Sequence, residues 1–209
     1  MIICAVVGFL TAVLANDPRS SHRNIAVVAA GLLLGLAVSF RLPNLLLSAG
    51  YFIVLLALAV RSTKTDDIVR LVSFGTAFLV GLVPTLVSNA VNAGSVLATT
   101  YSSVDATPPD FSFSIARQYF SDMQGALILL IATWSIVALA ANVKRTAASI
   151  VAVNILVNFG FFITHPISTP YYLMPLVLLS MWTLLFSFLN DPSAAAPNAG
   201  SKTTQETNA

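Results

Sequence analysis

Three aspartates, Asp105, Asp110 and Asp122, and one arginine, Arg117, fall in the single long polar stretch of an otherwise apolar chain, residues 89–124 (NAVNAGSVLATTYSSVDATPPDFSFSIARQYFSDMQ). A loop carboxylate acts as a general base when it is held within hydrogen-bond reach of a substrate hydroxyl. A guanidinium holds phosphate through paired N–H donors. Each group also has a plainer reading: solvated loop acids for the aspartates, and for Arg117 a place on a short interfacial helix, FSIARQYF, anchored by Phe111, Phe113, Tyr119 and Phe120. A second arginine, Arg41, stands in SFRLPN beside a tight Pro43-Asn44 turn, where it either snorkels to water or meets an anionic lipid headgroup.

Other ionisable groups form no constellation. Asp66 and Asp67 lie between Lys64 and Arg70 and read as a charge-balanced connector, and the histidines, His22 and His165, are far apart. Two separated histidines give no zinc spacing, so no metal is expected. A Gly-rich phosphate loop, a GxSxG elbow and a Cys/His cluster are also missing from the sequence, and no cofactor is expected. No charged residue falls mid-span, which counts against ion-coupled transport.

The elements that must position these groups are membrane helices. Hydrophobic residues make up 57% of the chain and charged ones 9%, a balance outside the globular range. Stretches such as IAVVAAGLLLGLAVSF and GALILLIATWSIVALAA are apolar on every face, whereas barrel strands alternate. The expected fold is therefore an all-α polytopic integral membrane helix bundle over residues 1–189, with about seven transmembrane helices and one long outer loop, 89–124. Spans are placed near 1–15, 25–40, 45–60, 71–88, 125–142, 148–163 and 171–189, extended at the interfaces by flanking residues such as Arg41 and Tyr51. Residues 190–209, small, polar and Pro-containing, read as a disordered cytoplasmic tail.

Positive charge orients the bundle. With seven spans, Arg19, Arg23, Arg61, Lys64, Arg70, Lys144, Arg145 and Lys202 share one side, and only Arg41 and Arg117 lie opposite. Basic residues collect in short cytoplasmic loops, so the long loop is expected outside and the C-terminus inside, in a plasma (inner) membrane. The net charge of +2 is a topology signal and gives no reason to invoke nucleic acid. Cys4, the only cysteine, reads as a small packing residue. Gly31 and Gly35 in GLLLG let another backbone approach closely, either inside the chain or from a second subunit.

One segment carries a family resemblance. GLVPTLVSNAVNAGSVLATTY places Pro84, Asn89, Gly94-Ser95 and Tyr101 in order, and it resembles a recurring stretch of polytopic GT-C glycosyltransferases, the branch of protein mannosyltransferases and lipid A aminoarabinose transferases. GLLLGLAVSFRLPNLLL and PYYLMPLVLL are similar to other spans of that family, so the resemblance covers about residues 25–189. It implies transfer of a sugar from a polyprenyl-phosphate carrier at the outer face. Arg41 and Arg117 would then bind the donor phosphate, and Asn89, Gly94, Ser95, Tyr101, Asp105, His165 and Tyr172 would wall the outer cavity. The family's acidic motif in its first outer loop has no counterpart before Arg41. The resemblance therefore implies a fragment or subunit working with an N-terminal catalytic half. The competing expectation is a non-enzymatic membrane protein, a partner subunit or lipid carrier.

Overall fold

A helix closes its own backbone hydrogen bonds, which is what continuous apolar runs require away from water, and every regular element among the described residues is helical. The computed structural model describes residues 1–17, 19–97, 117, 121, 123–164 and 170–189. Seven α-helices occur among them: α1 (Ile2–Asn16), α2 (Ser20–Phe40), α3 (Ala49–Ser62), α4 (Thr65–Ala93), α5 (Met123–Ala140), α6 (Arg145–Thr164) and α7 (Met174–Leu189). Short 3-10 turns, Leu42–Ser48 and Pro170–Leu173, lead into α3 and α7. Four segments are long and apolar enough to cross a membrane: α2, Leu42–Ser62, α4 and α6. The helices α1, α5 and α7 are apolar but shorter.

Helix boundaries depart from the sequence reading most at α4, expected over 71–88 and found over Thr65–Ala93. Asp66 and Asp67 occupy its first turn, where a carboxylate complements the helix dipole. Gly94, at φ 72°, closes it in the left-handed conformation that glycine adopts without a Cβ penalty. Asn89 is accordingly part of the helix, and the polar connection starts five residues later than expected.

Successive helices run antiparallel. Phe40, Thr164 and Met174 mark one end of the bundle, called here the Arg41 end. Asn16, Ser20, Ser62 and Arg145 mark the other, the Arg70 end. The closest packing joins α2 to α4: a Cβ on Gly31 would lie 2.6 Å from the Phe74 carbonyl oxygen. One on Gly35 would collide with the Phe78 carbonyl, and one on Gly81 with that of Leu32. GLLLG thus serves packing within the chain.

Several polar side chains inside the bundle are spent on structure. The 3-10 turn before α3 leaves backbone groups that a regular helix would satisfy, and α6 supplies partners one turn apart. Asn154 Oδ1 accepts the Gly50 N–H at 2.8 Å, while Asn158 Nδ2 donates to the Leu46 carbonyl at 3.0 Å. Tyr51, expected at an interface, is instead 1% exposed and stacked on Phe74 with ring centroids 5.6 Å apart. The Thr11 hydroxyl donates to the Val7 carbonyl at 2.7 Å, so the Tyr51 hydroxyl is the donor in the 2.6 Å bond to Thr11. That bond lets a phenol sit in an apolar core.

At the Arg70 end a second knot ties α2 to α4. Arg70 is 5% exposed; its guanidinium donates to Asp67 at 2.7 Å, Asn24 at 2.9 Å and Ser20 at 3.1 Å. Nearby, between α1 and α2, the Arg19 backbone N–H and then His22 hold the Asp17 carboxyl below its ordinary pKa. Arg23 Nε caps the end of α1 by donating to the Leu14 carbonyl at 2.9 Å.

Candidate functional site

Arg41 sits where α2 has to stop. Pro43 has no N–H to continue the helical ladder and its ring would clash with the carbonyl one turn back, so Arg41 turns extended at φ −160° and a new 3-10 turn begins. Asn44 locks that corner: its backbone N–H donates to the Arg41 carbonyl at 3.0 Å and its side-chain amide to the Ala37 carbonyl at 2.8 Å. One residue before the helix end, the Ser39 and Thr85 hydroxyls meet at 2.7 Å and hold α2 to α4.

The Arg41 guanidinium carbon lies 4.5 Å from the centre of the Tyr172 ring. Tyr172 comes from the 3-10 turn before α7 and is stacked on Phe162 of α6, ring centroids 5.7 Å apart. Phe162 and the adjacent Leu173 are both buried and anchor this stack. Three elements therefore converge in a Phe162–Tyr172–Arg41 stack. A cation on a ring face gains about 0.5–2 kcal/mol according to how far it is desolvated, enough to orient a side chain. The ring engages the guanidinium through its face, whereas phosphate binds through the N–H edge, so the two contacts are geometrically compatible.

Beside this stack opens an apolar cavity of about 430 Å³. Phe40 and Asn44, which flank the Arg41 turn, line it, as does Pro175, three residues after Tyr172. A fixed cation next to an apolar recess suits an amphiphile with an anionic head.

The structure brings together two of the residues that the sequence singled out, Arg41 and Tyr172. Asn89, Gly94 and Ser95 form a separate turn at the end of α4, where the Asn89 amide reaches the Val96 carbonyl at 3.4 Å. From Thr85, level with the end of α2, to Ala93 the helix rises a further ~12 Å, so that turn stands beyond the Arg41 stack. Arg117 is helical and exposed. Tyr101, Asp105, Asp110, Asp122 and His165 lie outside the described residues. Among the described residues no three His, Cys, Asp or Glu side chains gather as metal ligands would.

The sequence reading missed Phe162, the base of the stack, because one aromatic in the apolar run NFGFFIT carries no distinguishing signal. It also missed the cavity, whose α1 wall lies outside every motif considered. No family model, curated protein or solved structure matches this chain.

Proposed function

We propose that this chain is a seven-span integral membrane protein that binds a polyprenyl-phosphate-linked sugar at its outward-facing Arg41 end and supplies donor binding to a membrane glycosyltransferase. The observation that carries the reading is the Arg41 guanidinium seated on Tyr172 beside an apolar cavity. Sidedness rests on charge: Arg19, Arg23, Arg61, Lys64, Arg70, Lys144 and Arg145 all belong to the Arg70 end, which the positive-inside rule assigns to the cytoplasm. In sugar transfer, negative charge grows on the phosphate oxygen as the glycosidic bond breaks, and a preorganised guanidinium in a poorly hydrated site stabilises that charge. The acid–base group would come from Asp105, Asp110 or Asp122, or from a partner chain.

A second reading, lipid-phosphate binding without chemistry, is favoured by one observation. The carboxylates among the described residues, Asp17, Asp66 and Asp67, are all at the Arg70 end, remote from Arg41. The test is sugar transfer from a labelled polyprenyl-phosphate sugar in membranes carrying the full protein or Arg41→Ala. Loss of transfer at equal membrane insertion supports donor binding for catalysis. Transfer that depends on the chain yet survives Arg41→Ala removes Arg41 from the site, and no chain-dependent transfer at all leaves the binding-only reading.

A further inference from the structure

A serine or threonine inside a membrane helix can satisfy its hydroxyl on the carbonyl one turn back. Thr11, Thr133 and Ser135 do so here, at 2.7, 2.8 and 2.9 Å. On α7 the pattern breaks. Thr183 is 1% and Ser187 0% exposed, yet neither Oγ has a hydrogen-bond partner among the described residues. A buried polar group carries its full desolvation penalty unless something bonds to it. The surroundings hold both groups in place. On the Arg41 side of them α1 is pressed against α7: a Cβ on Gly8 would lie 2.8 Å from Trp182 Cβ and 2.9 Å from the Thr183 backbone nitrogen. On the Arg70 side Asn16 Nδ2 donates to the Ser187 carbonyl at 2.8 Å. From α3, the Tyr51 hydroxyl faces Thr183 Oγ1 without closing a hydrogen bond to it. Its proton is already given to Thr11, which leaves the phenolic oxygen open as an acceptor.

We propose that Thr183 and Ser187 form a binding site for one water molecule inside the bundle, which bridges the two hydroxyls and joins α7 to the Thr11–Tyr51 pair. The spacing selects the ligand. Thr183 and Ser187 are four residues apart, ~6 Å along the helix, and two O–H···O bonds end to end span about 5.5 Å. Both hydroxyls donate or accept, and a water that finds two to four polar partners is retained in a protein interior. The third buried group without a partner, Trp182 Nε1, is turned about 100° around the helix from Thr183, and its ring stacks on Phe186. It belongs to a different face and takes no part in the site.

The test is hydroxyl-radical footprinting of the purified full chain in nanodiscs: X-rays split bound water, the radical oxidises the nearest side chains, and mass spectrometry locates the products residue by residue. The expected result is oxidation at Leu184, which is 0% exposed and adjacent to Thr183, with none at Ile150 or Val27, as deeply buried on α6 and α2. Thr183→Val and Ser187→Ala, which remove one hydroxyl each with little change of bulk, should both reduce Leu184 oxidation at least fivefold. Each should also lower the thermal midpoint by about 2–4 °C, the loss of one buried hydrogen bond. Absence of oxidation at Leu184 in the native protein overturns the proposal, as does oxidation that either variant leaves intact. An unchanged or raised midpoint overturns it too, because that is the result for a hydroxyl that had no partner to lose.

Discussion

Arg70 and Arg41 are guanidinium groups at opposite ends of one bundle. Arg70 is 5% exposed and donates to an aspartate, an asparagine and a serine from two helices. Arg41 is partly exposed and held by a ring face beside an open apolar cavity. Burying a cation is tolerable when paired and hydrogen-bonded groups replace the lost water, and Arg70 has them from within its own chain. A ring face attracts a cation through its quadrupole, a weaker and less directional hold than paired carboxylate, amide and hydroxyl groups. The difference separates an arginine buried in a charge-paired knot from a partly exposed one set on an aromatic face.

Substitutions that break the comparison come first. Arg70→Met should cost about 4 kcal/mol, because it strands Asp67, whose side chain is 16% exposed, without its cation. Unfolding in detergent against rising SDS fraction measures this, and a loss below 1 kcal/mol would make the knot a surface ornament. Gly35→Leu should cost about 3 kcal/mol by driving α2 and α4 apart, read as a fall in thermal midpoint of the purified protein. Asn154→Leu, which leaves the Gly50 N–H without its acceptor, should cost about 2 kcal/mol; hydrogen exchange at Gly50 should quicken along with it. Tyr51→Phe removes one hydrogen bond while keeping the stack on Phe74 and should cost about 1 kcal/mol.

The smallest expected effect sharpens the contrast from the charged side. The Asp17 carboxyl is held below its ordinary value of 3.8 chiefly by the Arg19 backbone N–H. Its stabilising contribution is therefore complete above the unfolded-state pKa and disappears as pH falls through the lower, folded-state value. Asp17→Asn should therefore lower stability slightly at neutral pH, with the deficit vanishing as pH falls below about 4, so that the acid limb flattens. A variant destabilised equally at pH 7 and pH 3 would contradict that assignment.

Much of this architecture was legible in the sequence, because each long apolar run dictates a helix and each of the seven runs is matched by a helix among the described residues. The end of α2 was legible because Pro43 enforces it, whereas the end of α4 was read five residues early, at 88 where the helix runs to Ala93. Tyr51 was misread because an aromatic with a hydroxyl at the start of an apolar run looks the same whether its partner is interfacial water or Thr11, 40 residues away. The roles of Asn154 and Asn158 were hidden for the same reason: their partners are backbone groups of another helix, 104 and 112 residues distant. Of the site, Arg41 stood out as a cation opposing the charge asymmetry. Its pairing with Tyr172 was invisible because it depends on how α2, α6 and α7 meet.

The central claim is that Arg41 is presented to a lipid-borne phosphate. The most direct measurement is the affinity of the purified full chain for polyprenyl phosphate in nanodiscs, compared between the native protein and Arg41→Ala with thermal stability followed in parallel. The expected result is at least a tenfold weaker affinity, the equivalent of one charge-assisted hydrogen bond at about 1.5–3 kcal/mol, with stability changed by less than about 1 kcal/mol. Equal affinity in a variant that folds and inserts normally would contradict the account.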